Sequence, residues 1–213
     1  MTLSDYSLAT HLNTVSLLQI PNMSQVHNKL IILTAPSGSG KTSITHFLIN
    51  KYPKLSFSIS ATTRLPRGEE KNGIAYYFLT VDEFKKKIDE KGFIEWEMVY
   101  EGKYYGTLKT ELERIWHEGK VPMLDIDVQG AVHVHQKFAG DCLSIFIEPP
   151  SVAELRRRLE SRGTETPESL ETRVNKASYE ISFKHHFSKT ILNDNLEKAC
   201  KETEQVIKDF LGW

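Results

Sequence analysis

Apolar residues recur along this chain with two spacings, and their alternation predicts a layered α/β fold. Short apolar runs such as Leu30–Thr34, 121–127 and 143–147 have the length of buried strands. Between them lie stretches whose apolar residues return every three or four positions, as on one face of a helix. Buried strands that alternate with helices are typical of a parallel sheet flanked by helices on both faces.

Local signals predict where several elements begin. Thr80 and Glu83 form a capping box, in which each side chain satisfies a backbone donor of the other, and Ser151 and Glu154 repeat the pattern. A threonine followed by Pro167 predicts another helix start. Helices are predicted over 41–51, 81–91, 109–118, 130–138, 152–162, 167–185 and 196–211, and further strands over 57–60, 76–79, 93–100, 103–107 and 190–192.

The stretch from Phe57 to Thr107 interrupts the alternation. It holds several short strands joined by short loops, with a polar loop over 61–73 that contains a proline and two glycines. Consecutive short strands favour a local sheet rather than a strand–helix–strand unit. This part of the chain is therefore predicted to be an inserted, strand-rich subdomain.

One loop carries the signature of a phosphate-binding P-loop. The segment from Ala35 to Thr42 follows the predicted strand Leu30–Thr34 and precedes a predicted helix. Its two glycines let several backbone N–H groups face one anion, and the new helix adds its positive end. Lys41 supplies a charge for the outer phosphates, and the Thr42 hydroxyl can ligate Mg²⁺. Ala35 stands where the pattern has glycine, which requires a negative φ there.

Composition limits the partners that this chain can attract. It has 213 residues, 39% apolar and 26% charged, a balance typical of one globular domain with insertions. The formal net charge of −1 predicts no general attraction to nucleic acid or to an anionic membrane. Two cysteines cannot form a disulfide framework, and no apolar run is long enough to span a membrane. Lys29 is the first lysine or arginine, so we expect no secretory signal and a cytoplasmic location.

A second cluster of basic residues could bind another phosphate. Arg64 and Arg67 lie in a hydroxyl-rich loop that begins at Ser60 and is stiffened by a proline. Two guanidinium groups in such a loop suit bidentate capture of a phosphate, and Tyr76 and Tyr105 follow in the neighbouring strands. The alternative is a solvated basic loop beside two glutamates.

A third basic cluster surrounds the loop at Gly163. Arg158, Arg162 and Arg173 flank this loop, which predicts a lid that could close over a phosphate during transfer. The alternative is a surface helix with ordinary pairs between residues four apart, such as Arg156 and Glu160.

These clusters occur in the order found in guanylate kinases, the family that moves the γ-phosphate of ATP to GMP. The chain resembles this family from about Lys29 to its C-terminus, and several of the matching strings are distinctive. Ala35 and Ala61 depart from the usual glycine and serine, and neither position donates an essential side chain. The strings that carry the resemblance are 35–42, 60–67, 72–76, 93–96, 104–107, 124–130, 149–151, 158–166 and 193–194.

For the acceptor, the resemblance implies a phosphate cradle and a carboxylate that recognises guanine. Glu95 would accept hydrogen bonds from guanine N1–H and the exocyclic amine, whereas adenine presents an acceptor at N1 and would be rejected. Thr107 and Ser60 could donate to guanine O6. The residues implied to bind GMP are Ser60, Arg64, Arg67, Tyr76, Glu95, Tyr105, Thr107 and Asp127.

For the donor, the resemblance implies that ATP binds the P-loop, with Asn193 near the adenine and Mg²⁺ as cofactor. Thr42 would ligate Mg²⁺, and Asp125 would do so through water. The attacking phosphate oxygen of GMP is already ionised, so charge screening rather than a general base is expected. The implied catalytic residues are Lys41, Arg158, Arg162 and Arg173, and the implied ATP-binding residues are Ala35, Pro36, Ser37, Gly38, Ser39, Gly40, Lys41, Thr42, Ser43 and Asn193.

The resemblance and the element pattern together predict a division of the chain. Residues 1–28 are expected to form a flexible leader, 60–107 the GMP-binding subdomain and 151–186 the lid. The P-loop core would consist of 29–59, 108–150 and 187–213. ATP and GMP, with dGMP, are the expected partners, and no obligate protein partner is expected.

Three other functions compete with phosphoryl transfer to GMP. A non-catalytic guanylate-kinase-like module that binds proteins would usually have lost P-loop residues, but Lys41 and Thr42 are present. A P-loop kinase for another acceptor is disfavoured by the strings around Glu95. A metal protein would need a ligand spacing that the pairs His133/His135 and His185/His186 do not provide.

Overall fold

The computed structural model describes residues 28–161, 163 and 166–213, without the side chain of Tyr100. Arg162 of the predicted lid and the predicted leader up to residue 27 lie outside the described residues. The strands are β1 (Leu30–Thr34), β2 (Leu55–Phe57), β3 (Ala61–Thr62), β4 (Tyr77–Phe78), β5 (Phe93–Tyr100), β6 (Lys103–Leu108), β7 (Val121–Asp125), β8 (Cys142–Glu148) and β9 (Lys189–Leu192). The α-helices are α1 (Lys41–Lys51), α2 (Val81–Asp89), α3 (Lys109–His117), α4 (Val128–Lys137), α5 (Val152–Glu160), α6 (Pro167–Ser182) and α7 (Leu196–Leu211).

The larger sheet is parallel and is covered on both faces. Its strand order is β2-β7-β1-β8-β9, with β1 at the centre. Ile31 and Leu33 of β1 pack in one apolar cluster with residues of α1 and α7, whereas Leu30 and Ile32 pack in a second cluster with residues of α3 and α4. This alternation follows from the two-residue period of a strand. The predicted α/β class with helices on both faces is confirmed.

A smaller sheet forms where the sequence predicts an inserted strand-rich segment. Its order is β4-β3-β6-β5, and the pairs β3–β6 and β5–β6 are antiparallel. One face is covered by α2, whose Phe84 stacks on Phe93 at a centroid distance of 4.3 Å. A register shift between Phe93 and Glu95 marks a β-bulge, and Glu95 then pairs with Thr107. The bulge lets Phe93 point into the apolar cluster while Glu95 emerges on the other face.

Two predicted strands end differently in the structure. The prediction of a strand over 57–60 is wrong, because β2 ends at Phe57. The next paired residues are Ala61–Thr62, which were predicted to lie in a loop. Ser58 still donates its N–H to the Met123 carbonyl, but the chain then leaves the larger sheet for the smaller one. The strand predicted to reach Asp127 stops at Asp125, since Asp127 caps α4 instead.

Helix ends follow the predicted caps with one exception. Both halves of the Thr80/Glu83 capping box are present, and Thr166 caps α6 by accepting from the Ser169 N–H. At α5 only half of the box forms: the Ser151 hydroxyl accepts from the Glu154 N–H, but the Glu154 carboxylate pairs with neighbouring arginines. Charge-assisted bonds to guanidinium groups outcompete the backbone donor. Helix α6 stops at Ser182, and a short 3₁₀ helix follows. In the part of the chain that the structure describes, no helix is long and apolar enough to cross a membrane.

Candidate active site

The P-loop has the backbone geometry that its sequence predicts. Strand β1 leads into the loop, and α1 begins at Lys41 with Gly40 as its cap. Gly38 and Gly40 have φ values of +95° and +91°, a region that strains other residues. A Cβ at Gly40 would also lie 2.3 Å from the side-chain nitrogen of Asn193. Ala35 is not among the described residues with positive φ, so alanine fits where the pattern has glycine.

A cavity of about 700 Å³ opens in front of this loop. Its walls are the P-loop, the segment from Asp125 to Asp127 and one face of α6. Arg173 reaches across from α6 and donates to the Ser37 hydroxyl at 2.8 Å. The predicted lid therefore faces the P-loop across the cavity, and the predicted catalytic residues Lys41 and Arg173 lie at the same site.

Lys41 contacts a carboxylate that also lines the cavity. Its ammonium forms an ion pair with Asp125 at the end of β7. Burial lowers the pKa of Lys41 to about 8, while the negative charge of Glu180 acts in the opposite direction. Incoming phosphates would have to draw Lys41 away from Asp125.

The residues near Lys41 fit a magnesium ion that is shared with phosphate. Thr42 and Asp125 line the cavity and offer a hydroxyl and a carboxylate, the oxygen ligands that Mg²⁺ prefers. Within residues 28–161, 163 and 166–213, no three histidine, cysteine or acidic side chains gather as a metal-binding group. Mg²⁺ needs few protein ligands when phosphates and waters complete its coordination shell.

On the smaller sheet, the predicted phosphate ligands of the acceptor lie together. The Arg64 guanidinium lies 4.7 Å from the Tyr76 ring centroid, and the Tyr76 and Tyr105 rings are 6.1 Å apart. Ser60 is held beside them, because its carbonyl accepts from the Tyr77 N–H at 2.9 Å. Arg67 is joined to the group only through its backbone, and its side chain is exposed.

Glu70, one of the two glutamates beside the basic loop, holds Arg64. Glu70 accepts from both terminal nitrogens of the guanidinium, at 2.6 and 2.7 Å. Hydrogen bonds from Arg64 and from the Arg67 N–H lower the pKa of Glu70 to about 2, so the acid stays ionised. The arginine itself is 9% exposed. Glu70 therefore occupies the position at which the Arg64 guanidinium could otherwise bind an anion.

The predicted guanine ligands lie further along the same sheet. Glu95 accepts from the Thr107 hydroxyl at 2.7 Å, because β5 and β6 set these residues opposite each other. Burial raises the pKa of Glu95 to about 7, Thr107 opposes the shift and Asp127 adds to it. A Cβ at Gly130 would lie 3.0 Å from the other Glu95 oxygen, so α4 approaches the carboxylate closely.

Asp127 connects the guanine ligands with the P-loop cavity. It caps α4 by accepting from the N–H groups of Gln129 and Gly130, at 2.8 and 3.1 Å, and it also lines the P-loop cavity. Its carboxyl group meets that of Glu97, and this hydrogen bond together with burial raises the pKa of Glu97 to about 7. The predicted donor and acceptor sites therefore share one acid.

Three predicted residues, Ser43, Arg158 and Asn193, lie beside the P-loop and do not line this cavity. Arg158 donates to Glu154 at 2.9 Å and to the Asn193 carbonyl at 3.0 Å. The Asn193 amide donates to the Ser39 carbonyl at 2.6 Å and is buried. Their contacts brace the loop from its other side. Arg162, the remaining predicted lid arginine, lies outside the described residues.

Sequence reasoning missed several acids and one lysine at the site. Lys176 and Glu180 line the P-loop cavity from α6, and Glu97 lies on the acceptor sheet. The spacing of three and seven residues from Arg173 puts Lys176 and Glu180 on the same helix face, which could have indicated both. Glu97 follows Glu95 by two residues on a strand, so it shares that face.

Comparisons with known proteins agree with this geometry. The guanylate kinase family model matches residues 27–210. The chain is 47% identical to a guanylate kinase of Bacteroides thetaiotaomicron, over 90% of this chain and 94% of that one. It is also 47% identical to a guanylate kinase of Porphyromonas gingivalis, over 86% of this chain and 98% of that one. The crystal structure of guanylate kinase from Anaplasma phagocytophilum superimposes with a TM-score of 0.67 at 28% identity, covering 88% of each chain. This chain belongs to the guanylate kinase family.

Proposed function

We propose that this chain transfers the γ-phosphate of ATP to GMP, and also to dGMP, reversibly giving ADP and GDP. Its membership of the guanylate kinase family supports a nucleoside monophosphate kinase. The observation that carries the choice of acceptor is the contact between half-buried Glu95 and buried Thr107, 2.7 Å apart, in the same subdomain as the arginine and tyrosines of a second anion site. ATP and GMP in the cytoplasm are the substrates and location that we propose.

Base selection follows from the hydrogen-bonding capacity of the buried carboxylate. An ionised Glu95 has only acceptors, so it matches the N1–H and amine of guanine, whereas the N1 acceptor of adenine would leave both groups unsatisfied. Thr107 fixes one carboxylate oxygen and keeps the group oriented. A site whose polar groups require a partner discriminates far more strongly than an apolar pocket.

For the acceptor phosphate, we assign binding to Ser60, Arg64, Arg67 and Tyr76, with Tyr105 behind them. Arg64 and the two tyrosines are already clustered without a phosphate, which lowers the entropy that binding must offset. Arg67 would need its exposed side chain to turn inward. Asp127 would lie between the two nucleotides.

Phosphoryl transfer requires ATP and GMP to approach each other in line, and their negative charges repel each other. The residues assigned to reduce this repulsion are Lys41, with Arg173 and the other lid arginines Arg158 and Arg162. The N–H groups of the P-loop hold the β- and γ-phosphates, and Thr42 and Asp125 would hold Mg²⁺. The chemistry that Mg²⁺ supplies when bound is neutralisation of charge on the phosphate oxygens. Approach of α6 over the loop would exclude water, which could otherwise hydrolyse ATP.

This assignment divides the chain into three working parts, as the sequence predicts. The core would be 29–59, 108–150 and 187–213, the acceptor subdomain 60–107 and the lid 151–186. The alternative of a non-catalytic module that binds protein partners gains no support, since Lys41 and Thr42 are present and the relatives are named guanylate kinases.

An acceptor panel tests the proposal. ADP formation should be measured with ATP and each of GMP, dGMP, AMP, CMP and UMP, with Mg²⁺ present and after its removal by a chelator. We expect rapid turnover with GMP and dGMP, at least a hundredfold less with AMP, and none without Mg²⁺. Equal rates with AMP and GMP would overturn the guanine assignment, and no turnover with any acceptor would overturn the activity.

A further inference from the structure

A buried carboxylate with no role in the chemistry above lies where the two sheets meet. Glu111, in the first turn of α3, is 2% exposed. One of its oxygens accepts from the Ile59 N–H at 3.1 Å and from Arg114 at 2.8 Å. The other accepts from the Tyr77 hydroxyl at 2.8 Å and again from Arg114 at 3.0 Å. Four donors fill the accepting capacity of a carboxylate.

The partners of Glu111 come from both parts of the molecule. Helix α3 packs on the larger sheet, because Leu112 lies in the apolar cluster of Leu30 and Ile32. Tyr77 belongs to the smaller sheet, where it packs in the cluster around Phe84. Ile59 lies on the segment that crosses from β2 to β3, between the two sheets. A single side chain therefore joins the core, the crossing segment and the acceptor subdomain.

Two of these partners are direct neighbours of proposed phosphate ligands. Ile59 precedes Ser60, and Tyr77 follows Tyr76. The Tyr77 N–H also bonds to the Ser60 carbonyl, which links the two neighbours to each other. A change in the hydrogen bond from Ile59 or from Tyr77 to Glu111 would therefore shift the acceptor phosphate site relative to the P-loop core.

Such a network acts on geometry more than on stability. Burial alone would raise the pKa of Glu111, but hydrogen bonds from Arg114, the Ile59 N–H and Tyr77 outweigh it and leave the pKa lowered. The group is thus a buried charge, whose desolvation offsets much of the attraction that it gains. Its bonds are directional, however, whereas the apolar packing around Leu108 is not.

We propose that Glu111 is a positioning residue that fixes the acceptor phosphate site, through Ile59 and Tyr77, at one angle to the P-loop core. This inference rests on the proposed transfer to GMP. Without the bond from Tyr77, the subdomain would sample other angles, and GMP would have to select the competent one. The KM for GMP would therefore rise, whereas the KM for ATP would stay the same because the P-loop core is unaltered.

The test compares two tyrosine variants that lose the same kind of bond. Tyr77→Phe removes the bond to Glu111 across the sheets, and the control Tyr52→Phe removes a tyrosine–glutamate bond to Glu204 inside the core. We expect Tyr77→Phe to raise the KM for GMP about fivefold, the scale of one hydrogen bond, with the KM for ATP and kcat within twofold of wild type. Tyr52→Phe should leave all three unchanged, and thermal unfolding should show similar small losses of stability in both variants.

Several outcomes separate this inference from the proposed function. Wild-type protein that leaves GMP unphosphorylated overturns both. Active wild type with the same KM for GMP in Tyr77→Phe and Tyr52→Phe overturns the positioning role alone. Glu111→Gln should raise the KM for GMP at least tenfold, because it also removes the negative charge that accepts two of the Arg114 bonds, and Tyr77→Phe still decides the question if that variant fails to fold.

Discussion

The two terminal nitrogens of Arg64 are held by the two carboxylate oxygens of Glu70, at 2.6 and 2.7 Å. This fork-to-fork pair keeps the guanidinium over the Tyr76 ring. In the proposed reaction, the same arginine receives the phosphate of GMP. The acid is therefore both a clamp that fixes Arg64 and a negative charge that the phosphate meets.

Loss of the clamp should weaken GMP binding. Glu70→Gln keeps the shape but loses the charge-assisted pair, so Arg64 gains rotamers that do not face the phosphate. We expect the KM for GMP to rise about tenfold, the effect of losing one charged hydrogen bond, with the KM for ATP unchanged. The matched control is Glu69→Gln, which removes an exposed charge one residue away. A KM for GMP that falls would show that Glu70 acts mainly as a competitor of the phosphate.

Acceptor binding should depend on pH through Glu95. Burial raises the pKa of Glu95 to about 7, and the proposed contacts to guanine require the ionised form. The KM for GMP should therefore fall as pH rises from 6 to 8, whereas the KM for ATP should change little. Initial rates at a series of pH values measure both. Glu95→Gln should abolish this dependence, and Glu97→Gln, which alters the neighbouring acid with a raised pKa, should keep it.

Gly130 is predicted to matter for function although the helix would accept alanine. Alanine is favoured over glycine in a helix by up to about 1 kcal/mol, and Gly130 lies in the first turn of α4, so Gly130→Ala should not lower the melting temperature. The added Cβ would lie 3.0 Å from a Glu95 oxygen and displace the carboxylate. We expect kcat/KM for GMP to fall about tenfold, a shift of about 1.4 kcal/mol in transition-state binding. Unchanged kinetics would mean that Glu95 can move aside without loss.

Lys41 should affect turnover rather than acceptor binding. Its ammonium lies at the P-loop and contacts Asp125, away from the smaller sheet. Lys41→Ala should lower kcat by roughly a hundredfold, the scale of removing one donor that stabilises transition-state charge, with the KM for GMP within threefold. Lys86→Ala, an exposed change on α2, is the control. A kcat close to wild type in Lys41→Ala would contradict the assignment.

The sequence predicted the parts of this molecule that depend on local pattern. The P-loop, the central strand Leu30–Thr34 and the Thr80 capping box all follow from spacing, caps and recognisable strings. Each depends on residues a few positions apart or on motifs whose chemistry is narrow. Local signals of this kind survive folding because tertiary contacts reinforce them.

Features that depend on competition between partners, or on contacts between distant segments, could not be predicted. Glu154 was expected to complete a capping box, but the nearby arginines bind it more strongly. The bond from the Asn193 amide to the Ser39 carbonyl joins residues 154 positions apart, and the place of Asn193 near the adenine stays a prediction. The four bonds to Glu111 join segments up to 52 residues apart in sequence, and only the fold brings them together.

The burial of Glu95 has a consequence for how such a chain can be improved. Because its folded pKa lies near 7 against an ordinary value of 4.5, the contribution of this group to stability is fully present below pH 4.5 and is lost as the pH rises through 7. Above that range the carboxylate weakens the fold by up to about 3 kcal/mol. Directed evolution for heat tolerance at alkaline pH would therefore favour replacements at this position, and the resulting proteins would be more stable but would lose the proposed selection between purines.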